Sequence, residues 1–459
     1  MTGQTTKKNF HQVVNFPLPE KARIFSNQLN LDGKSHKLSV IPTRSKFPAK
    51  VFKLNNGLTV IHQYLRATPV SVVDVWVKAG ASREPDAWSG MAHFLEHMIF
   101  KGTDNLPPGS FDWLIESLGG MTNAATSHDY AHFFIMTATE YLKDSLAPLA
   151  DLLLHPAFPE DEFIRERDVV FEEIRQEADN PDWIAFQALM QMVYQQHPYG
   201  RSVLGDIPGL MQRSPQQMRQ FHSTHYQPEN MTVTIVGGVG EDQALALVEQ
   251  AFQDFPTNYH TATPTIKAES PIREIRRREM LLPRLEGSRL MMAWIGPGVD
   301  QIRDAYGLDL LAVLLAEGRT SRLVRELREE KHLVQDITSN FSLQKDSSIF
   351  TINAWLEAEN IHLVESLIGD RLRELHSQPI SPAELARGKR LLCNDYAFST
   401  ETASQIAGLY GYYQTIDRAE VAVSYPEEIQ SFQAEELQTL ASRYLSPECY
   451  AVTEIQPYS

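Results

Sequence analysis

Apolar and polar positions divide this chain into short β-type runs and longer helical ones. VFKLNNGLTVIHQY (51–64) reads as two strands around an Asn-Asn-Gly turn. VSVVDVWVKAG (70–80) is a β-rich run that stops at glycine. In GMAHFLEHMIFKG (90–102), Met91, Phe94, Leu95, Met98 and Ile99 recur at helical spacing. FDWLIESLGG (111–120) predicts a helix closed by glycines. TNAATSHDYAHFFIMTAT (122–139) predicts one long strand, and TVTIVGG (232–238) another, buried one. Residues 160–180 predict a charged helix that stops at Asn180-Pro181. Residues 1–45 are polar and irregular, and PTNYHTATPTIKAESP (256–271) has the composition of a linker. Arg276-Arg277-Arg278 then reads as the solvated start of a strand.

The pattern returns after the linker. Trp76 and Trp294 stand 218 residues apart, as do Tyr226 and Tyr444, and Gly90 and Gly307 stand 217 apart. Agreement within one residue predicts a duplication. Strands and helices mix without βαβ alternation, so the expected class is α+β: two duplicated halves, each a mainly antiparallel sheet packed with helices. The expected boundaries are an N-terminal extension at 1–45, a first half at 46–255, a linker at 256–278 and a second half at 279–459. A chain of 459 residues also exceeds one comfortable core.

Composition adds exclusions. Hydrophobic content of 42% and charged content of 22% are those of an ordinary globular chain. A net charge of -16 argues against nucleic acid or an anionic membrane as partner, and would suit basic peptides. Two cysteines, Cys393 and Cys449, make neither a disulfide framework nor a thiolate metal site. No apolar run is long enough to span a membrane, and the first residues lack a secretory h-region. The expected location is cytoplasmic, with an organelle matrix as the alternative.

The chemistry concentrates in residues 90–102. His93 and His97 are i, i+4 on one helix face, so both imidazoles can reach one zinc ion, with Glu96 beside them. The duplicated half carries Leu310, Val313 and Leu314 at the equivalent positions, so packing does not require the polar trio. A catalytic zinc wants a third protein ligand. The 160–180 helix offers Glu166 and Glu173 two turns apart, with Glu172 and Glu177 as rivals; spacing alone does not choose. His222 and His225 read as surface or capping residues. His128 and His132, within the expected strand, read equally as substrate contacts or as structural residues.

GMAHFLEHMIFKGT, GGMTNAATSHDYAHFF and RERDVVFEEI together resemble the inverzincin peptidases, the family of pitrilysin, insulin-degrading enzyme and the mitochondrial processing peptidase. The likeness is strong over 48–255, looser over 280–459, and nearest to the short two-domain processing branch. It implies a clamshell-like chamber and a zinc endopeptidase with one zinc per chain, held by His93, His97 and Glu173. It makes Glu96 the general base for a zinc-activated water, and Glu166 an acid that orients a ligand histidine. Asn123 and Ala124 would lie nearest the scissile bond, on a strand that pairs with extended peptide.

In active relatives an Arg and a Tyr seven residues apart follow a Gly-x-x-Ser-Arg-Leu segment. Here the Arg is Arg328, and the tyrosine position holds Gln335. The resemblance therefore implies the zinc-bearing subunit of a dimer, either a homodimer or a heterodimer whose related partner supplies an Arg/Tyr pair. Peptides, including basic leader or targeting peptides, are the expected substrates. The competing readings are a non-catalytic assembly subunit built on the same fold, and a metal-binding protein without hydrolysis.

Overall fold

The structure, a computed structural model, describes residues 39–41, 47–255, 266, 269–283 and 285–458. Most of the expected N-terminal extension and residues 256–265 of the expected linker lie outside these. Within the extension Ser39–Ile41 forms strand β1, which pairs with Val51, Phe52 and Lys53. Within the linker Arg276 already begins a strand, Arg276–Leu282.

The first half holds β1, β2 (Lys50–Lys53), β3 (Thr59–Tyr64), β4 (Val70–Val77), β5 (Met121–Thr126), β6 (Ala131–Ala138) and β7 (Met231–Gly237). They form one sheet in the order β1-β2-β3-β7-β4-β6-β5. The second half holds β8 (Arg276–Leu282), β9 (Ser288–Gly296), β10 (Val334–Ser342), β11 (Ser348–Leu356) and β12 (Ala451–Pro457), in the order β10-β11-β9-β12-β8. In both sheets one pairing is parallel, β3 with β7 and β8 with β12, and the rest are antiparallel. The register repeats as well. Trp76 faces His132 across β4 and β6, and Trp294 faces Phe350 across β9 and β11. The duplication is therefore real, with β1 and β2 added to the first copy.

Strand position explains strand sequence. Central β7 is buried along its whole length and β4 along all but its first residue, so both read as nearly unbroken apolar runs. At the edge the alternation shows: β6 alternates buried and half-buried, and β5 alternates exposed and half-buried. The expected single strand at 122–139 is instead the β5–β6 hairpin. Its tip is His128-Asp129, closed by Ser127 N–H donating to Tyr130 O at 2.8 Å. Ala81 and Ser82 N–H donate to the Ser127 and His128 carbonyls from outside, so the neighbouring segment holds the turn.

The helices that matter are α1 (Met91–Ile99), α2 (Glu160–Ala178), α3 (Pro181–Val193), α4 (Pro215–His225), α5 (Ile302–Ala316) and α6 (Ala403–Ile416). The halves exchange cover: α6 of the second half packs on β4 and β7, and α3 of the first packs on β9 and β12. Consequently the second half's core includes Val72 and Val236 of the first sheet. The closest approach is at Gly411 in α6, where an added Cβ would lie 2.0 Å from Trp76 Nε1. Gly411→Ala should cost about 1–3 kcal/mol of overpacking, less up to about 1 kcal/mol that alanine gains in a helix. A lowered thermal midpoint in the purified variant checks this; an unchanged one would contradict the packing.

Two expectations about side chains change here. His222 and His225 are buried rather than on the surface: α4 places them with Met218 and Phe221 against the first-half core, and His222 Nε2 lies 2.8 Å from Leu153 O. The three arginines of β8 are more than a solvated start. Arg277 pairs with the buried Glu365 and Glu454, and Arg276 Nη1 donates to Met192 O at 2.6 Å.

Candidate metal centre

Helix α1 buries Met91, Ala92, His93, Phe94, Leu95, Met98 and Ile99, and leaves Glu96 and His97 half-buried on its open side. Its start is fixed by Glu84, which is itself buried. Glu84 accepts Gly90 N–H at 3.0 Å and Ala92 N–H at 2.7 Å, satisfying orphan donors of the first turn. Burial pushes the Glu84 carboxyl up to about 8, against those two donors and Arg201. Gly90 (φ 87°) has to be glycine on two counts: positive φ, and a Cβ that would sit 2.6 Å from Leu204 O.

α2 packs against α1 and settles the choice left open among its acids. Glu173 Oε2 lies 3.5 Å from His93 Nε2 and 3.5 Å from His97 Nε2. Glu172 is exposed and pairs with Arg175, while Glu177 faces the Asn180 amide. Glu166, two turns before Glu173, accepts from His97 Nδ1 at 2.9 Å and from Lys101 Nζ at 2.7 Å. With Nδ1 bound to Glu166, His97 presents Nε2 to the donor set.

The donor set fits zinc. Contacts of 3.5 Å are long for hydrogen bonds. They are close to the edge of about 3.3–3.4 Å that two ligands make around a tetrahedral zinc with bonds of about 2.0–2.1 Å. The electrostatics hold one positive charge at this set, the His97 proton, which a bound metal would displace. Burial holds His93 down to about 4, so its imidazole is neutral. Burial lowers His97 too, but the bond to Glu166 and the nearby Glu173 carboxylate override it and raise the ring to about 9. The His97 ring beside it lowers Glu173. Glu166 is lowered as well, its bonds to His97 and Lys101 outweighing burial.

Glu96 stands beside this set without belonging to it. Thr126 Oγ1, from β5, donates to Glu96 Oε2 at 2.5 Å. Burial raises the carboxyl, while Thr126, His97 and His132 pull it back. β5 is the last strand of its sheet, so the base is tied to an open edge. Asn123 and Ala124 lie on that edge, where the Asn123 amide oxygen accepts Ala124 N–H at 3.0 Å. Behind it, His132 stacks on Trp76 with centroids 4.3 Å apart and bonds Asp74 at 3.0 Å, and His128 bonds Arg201 O at 3.0 Å; both have structural partners.

Thus His93, Glu96, His97, Glu166 and Glu173 come together, with Asn123 and Ala124 on the adjoining edge. Arg328 and Gln335 do not join them. Among the described residues Arg328 pairs with Glu329 (2.9 Å) and Asp336 (3.1 Å), and Gln335 is exposed, 3.4 Å from Glu357. The sequence reading missed Glu84, Lys101 and Thr126. Only Thr126 left a trace, by falling in phase with Ala124 on a strand of period two.

Comparison with known proteins identifies the family of the fold. Residues 59–207 match the family described as Insulinase (Peptidase family M16), and residues 213–392 match the Peptidase M16 inactive domain. The zinc protease PqqE of Helicobacter pylori is 30% identical over 91% of this chain and 93% of its own length. The crystal structure of a protease from Helicobacter pylori superposes with a TM-score of 0.84 at 28% identity, covering 89% of this chain and 99% of that one. Pitrilysin shares the fold, with a TM-score of 0.76 at 18% identity, covering 92% of this chain but only 47% of pitrilysin. The chain therefore belongs to the M16 peptidase family, with the insulinase match inside its first half and the inactive-domain match running from the end of the first half into the second.

Proposed function

We propose that this chain is a zinc-dependent endopeptidase that cleaves extended or unfolded peptides. The observation that carries the reading is the donor triangle of His93, His97 and Glu173, with Glu96 tied by Thr126 to an open strand edge. His93, His97 and Glu173 would hold one zinc. Bound zinc supplies a Lewis acid that lowers the pKa of water to about 7 and polarises a carbonyl. Glu166, anchored by Lys101, fixes the His97 tautomer. A peptide adds to β5 as a further strand, displacing the Asn123 amide from Ala124 N–H. Glu96 takes the proton of the attacking water and passes it to the leaving amine. Thr126 occupies Oε2 and so assigns the transfer to Oε1. A non-catalytic assembly subunit would leave this arrangement of Glu96 without a role.

A second chain completes the enzyme. What supports this is that Arg328 and Gln335 have local partners, Glu329, Asp336 and Glu357, and none in the donor set among the described residues. Arg328 and Gln335 act on peptide held by the other subunit, in a homodimer or beside a related chain with an Arg/Tyr pair. The test is to purify the chain, assay its zinc and read cleavage of an unstructured peptide mixture by mass spectrometry, with and without chelator. We expect zinc near one per chain and chelator-sensitive cuts. Absence of zinc would sink the reading, and bound zinc without cleavage would send the search to the partner.

A further inference from the structure

We propose that Tyr199 and Asp129 are positioning residues: they fix the edge strand β5 on the second half of the chain. The proposal rests on the peptidase reading above and says what keeps a peptide on that edge in register with the metal donors.

The tie lies where two equivalent hairpins meet. β5–β6 and β10–β11 hold equivalent places in their sheets, since His132 and Phe350 face the two equivalent tryptophans. Their tips, residues 127–130 and 343–347, join through Asp129. Asp129 Oδ2 accepts Lys345 N–H from the opposite tip at 3.0 Å, and Oδ1 accepts the Tyr199 hydroxyl at 2.7 Å. The Tyr199 oxygen in turn accepts Asp346 N–H at 3.1 Å. Lys345 and Asp346 are neighbours, so the three bonds close a ring across the halves. Tyr199 is fully buried and Asp129 is buried, so water does not replace a bond that is lost. The tyrosine is itself held on the Pro198–Gly200 turn, where its N–H donates to His197 Nδ1 at 3.2 Å and the two rings stand 4.0 Å apart.

The ring matters to the reaction because of what β5 carries. β5 is the last strand of its sheet and pairs with β6 on one side only. Its tip is its second anchor. Thr126, which ties Glu96, ends the strand one residue before that tip. The metal donors sit on α1 and α2, and none of the three bonds reaches either helix. A peptide paired with β5 moves with β5, whereas the donors stay in place. Freedom at the tip therefore leaves the pairing intact and spoils the approach of the scissile carbonyl. A misplacement of about 1 Å costs about 10²-fold in rate.

The test uses zinc-loaded Tyr199→Phe, which keeps the ring and loses both hydroxyl bonds, and Asp129→Asn, which leaves one acceptor oxygen for two donors. Both are assayed below their thermal midpoints. In Tyr199→Phe kcat should fall at least about tenfold while KM stays within about threefold. Zinc affinity should be unchanged. The double variant should be no slower than the slower single one, because both act through one ring. Hydrogen exchange should quicken along β5 and at both tips, and stay as it was in α1 and α2. If Tyr199→Phe does not fold, Asp129→Asn carries the same expectations. A lower thermal midpoint with unchanged kcat and unchanged exchange along β5 would reduce the ring to packing and overturn the proposal. So would a raised KM at unchanged kcat, or effects that add in the double variant. An unsubstituted chain without chelator-sensitive cleavage removes the peptidase reading alone. Exchange along β5 then decides the tie by itself: quickened exchange upholds it, and unchanged exchange overturns it.

Discussion

Glu96→Gln should abolish peptide cleavage while leaving zinc in place. Glutamine keeps the shape of the side chain and an oxygen to accept from Thr126 Oγ1, so the local packing survives. It cannot take a proton. General acid–base groups contribute about 10²–10⁴-fold to rate, and Glu96 serves both the attack on the carbonyl and the departure of the amine. The expected result is a fall in kcat at or beyond the upper end of that range, with zinc content equal to that of the unsubstituted chain. Thr126→Val should fall well short of this, because it removes the group that orients the base and leaves the base itself. Equal activity of Glu96→Gln and the unsubstituted chain would show that the proton goes elsewhere. Loss of zinc in Glu96→Gln would show that Glu96 is a ligand.

The parts of this site that were legible in the sequence are those set by local periodicity. His93 and His97 share a helix face because they are four apart, and Glu166 and Glu173 share one because they are seven apart. The duplicated register was legible for the same reason, since Trp76 and Trp294 hold equivalent places in equivalent strands. What stayed hidden depends on distant segments. Nothing about residues 160–180 alone says which acid meets the histidines; the packing of α2 on α1 decides it. The β5–β6 turn carries no glycine and, among its described residues, no positive φ, so the usual hairpin signal is missing. Glu84 caps α1 from outside the helix, six residues before Gly90, where no capping motif would place it. The exchange of α3 and α6 between the halves leaves only small residues such as Gly411 as its mark, and a glycine in a helix has many explanations.

The two glutamates of α2 offer the sharper second test, because the geometry gives them different tasks. Glu173 Oε2 stands 3.5 Å from both Nε2 atoms, whereas Glu166 reaches only His97 Nδ1 and the Lys101 amine. Substituting a residue that merely orients a ligand costs about 10–100-fold in metal affinity. Glu166→Ala should fall in that window and still yield a zinc-loaded, weakly active protein at high zinc. Glu173→Ala removes a donor and should lose more than that window allows, leaving the purified chain without zinc. Competition titration with a chromophoric chelator measures both constants directly, without reference to activity. If Glu166→Ala lost the metal and Glu173→Ala kept it, the assignment of ligand and orienting acid along α2 would be reversed. If both kept it, the zinc would lie elsewhere. The expected ordering follows from one geometric fact: α2 presents Glu173 to both histidine rings and Glu166 to the far side of one.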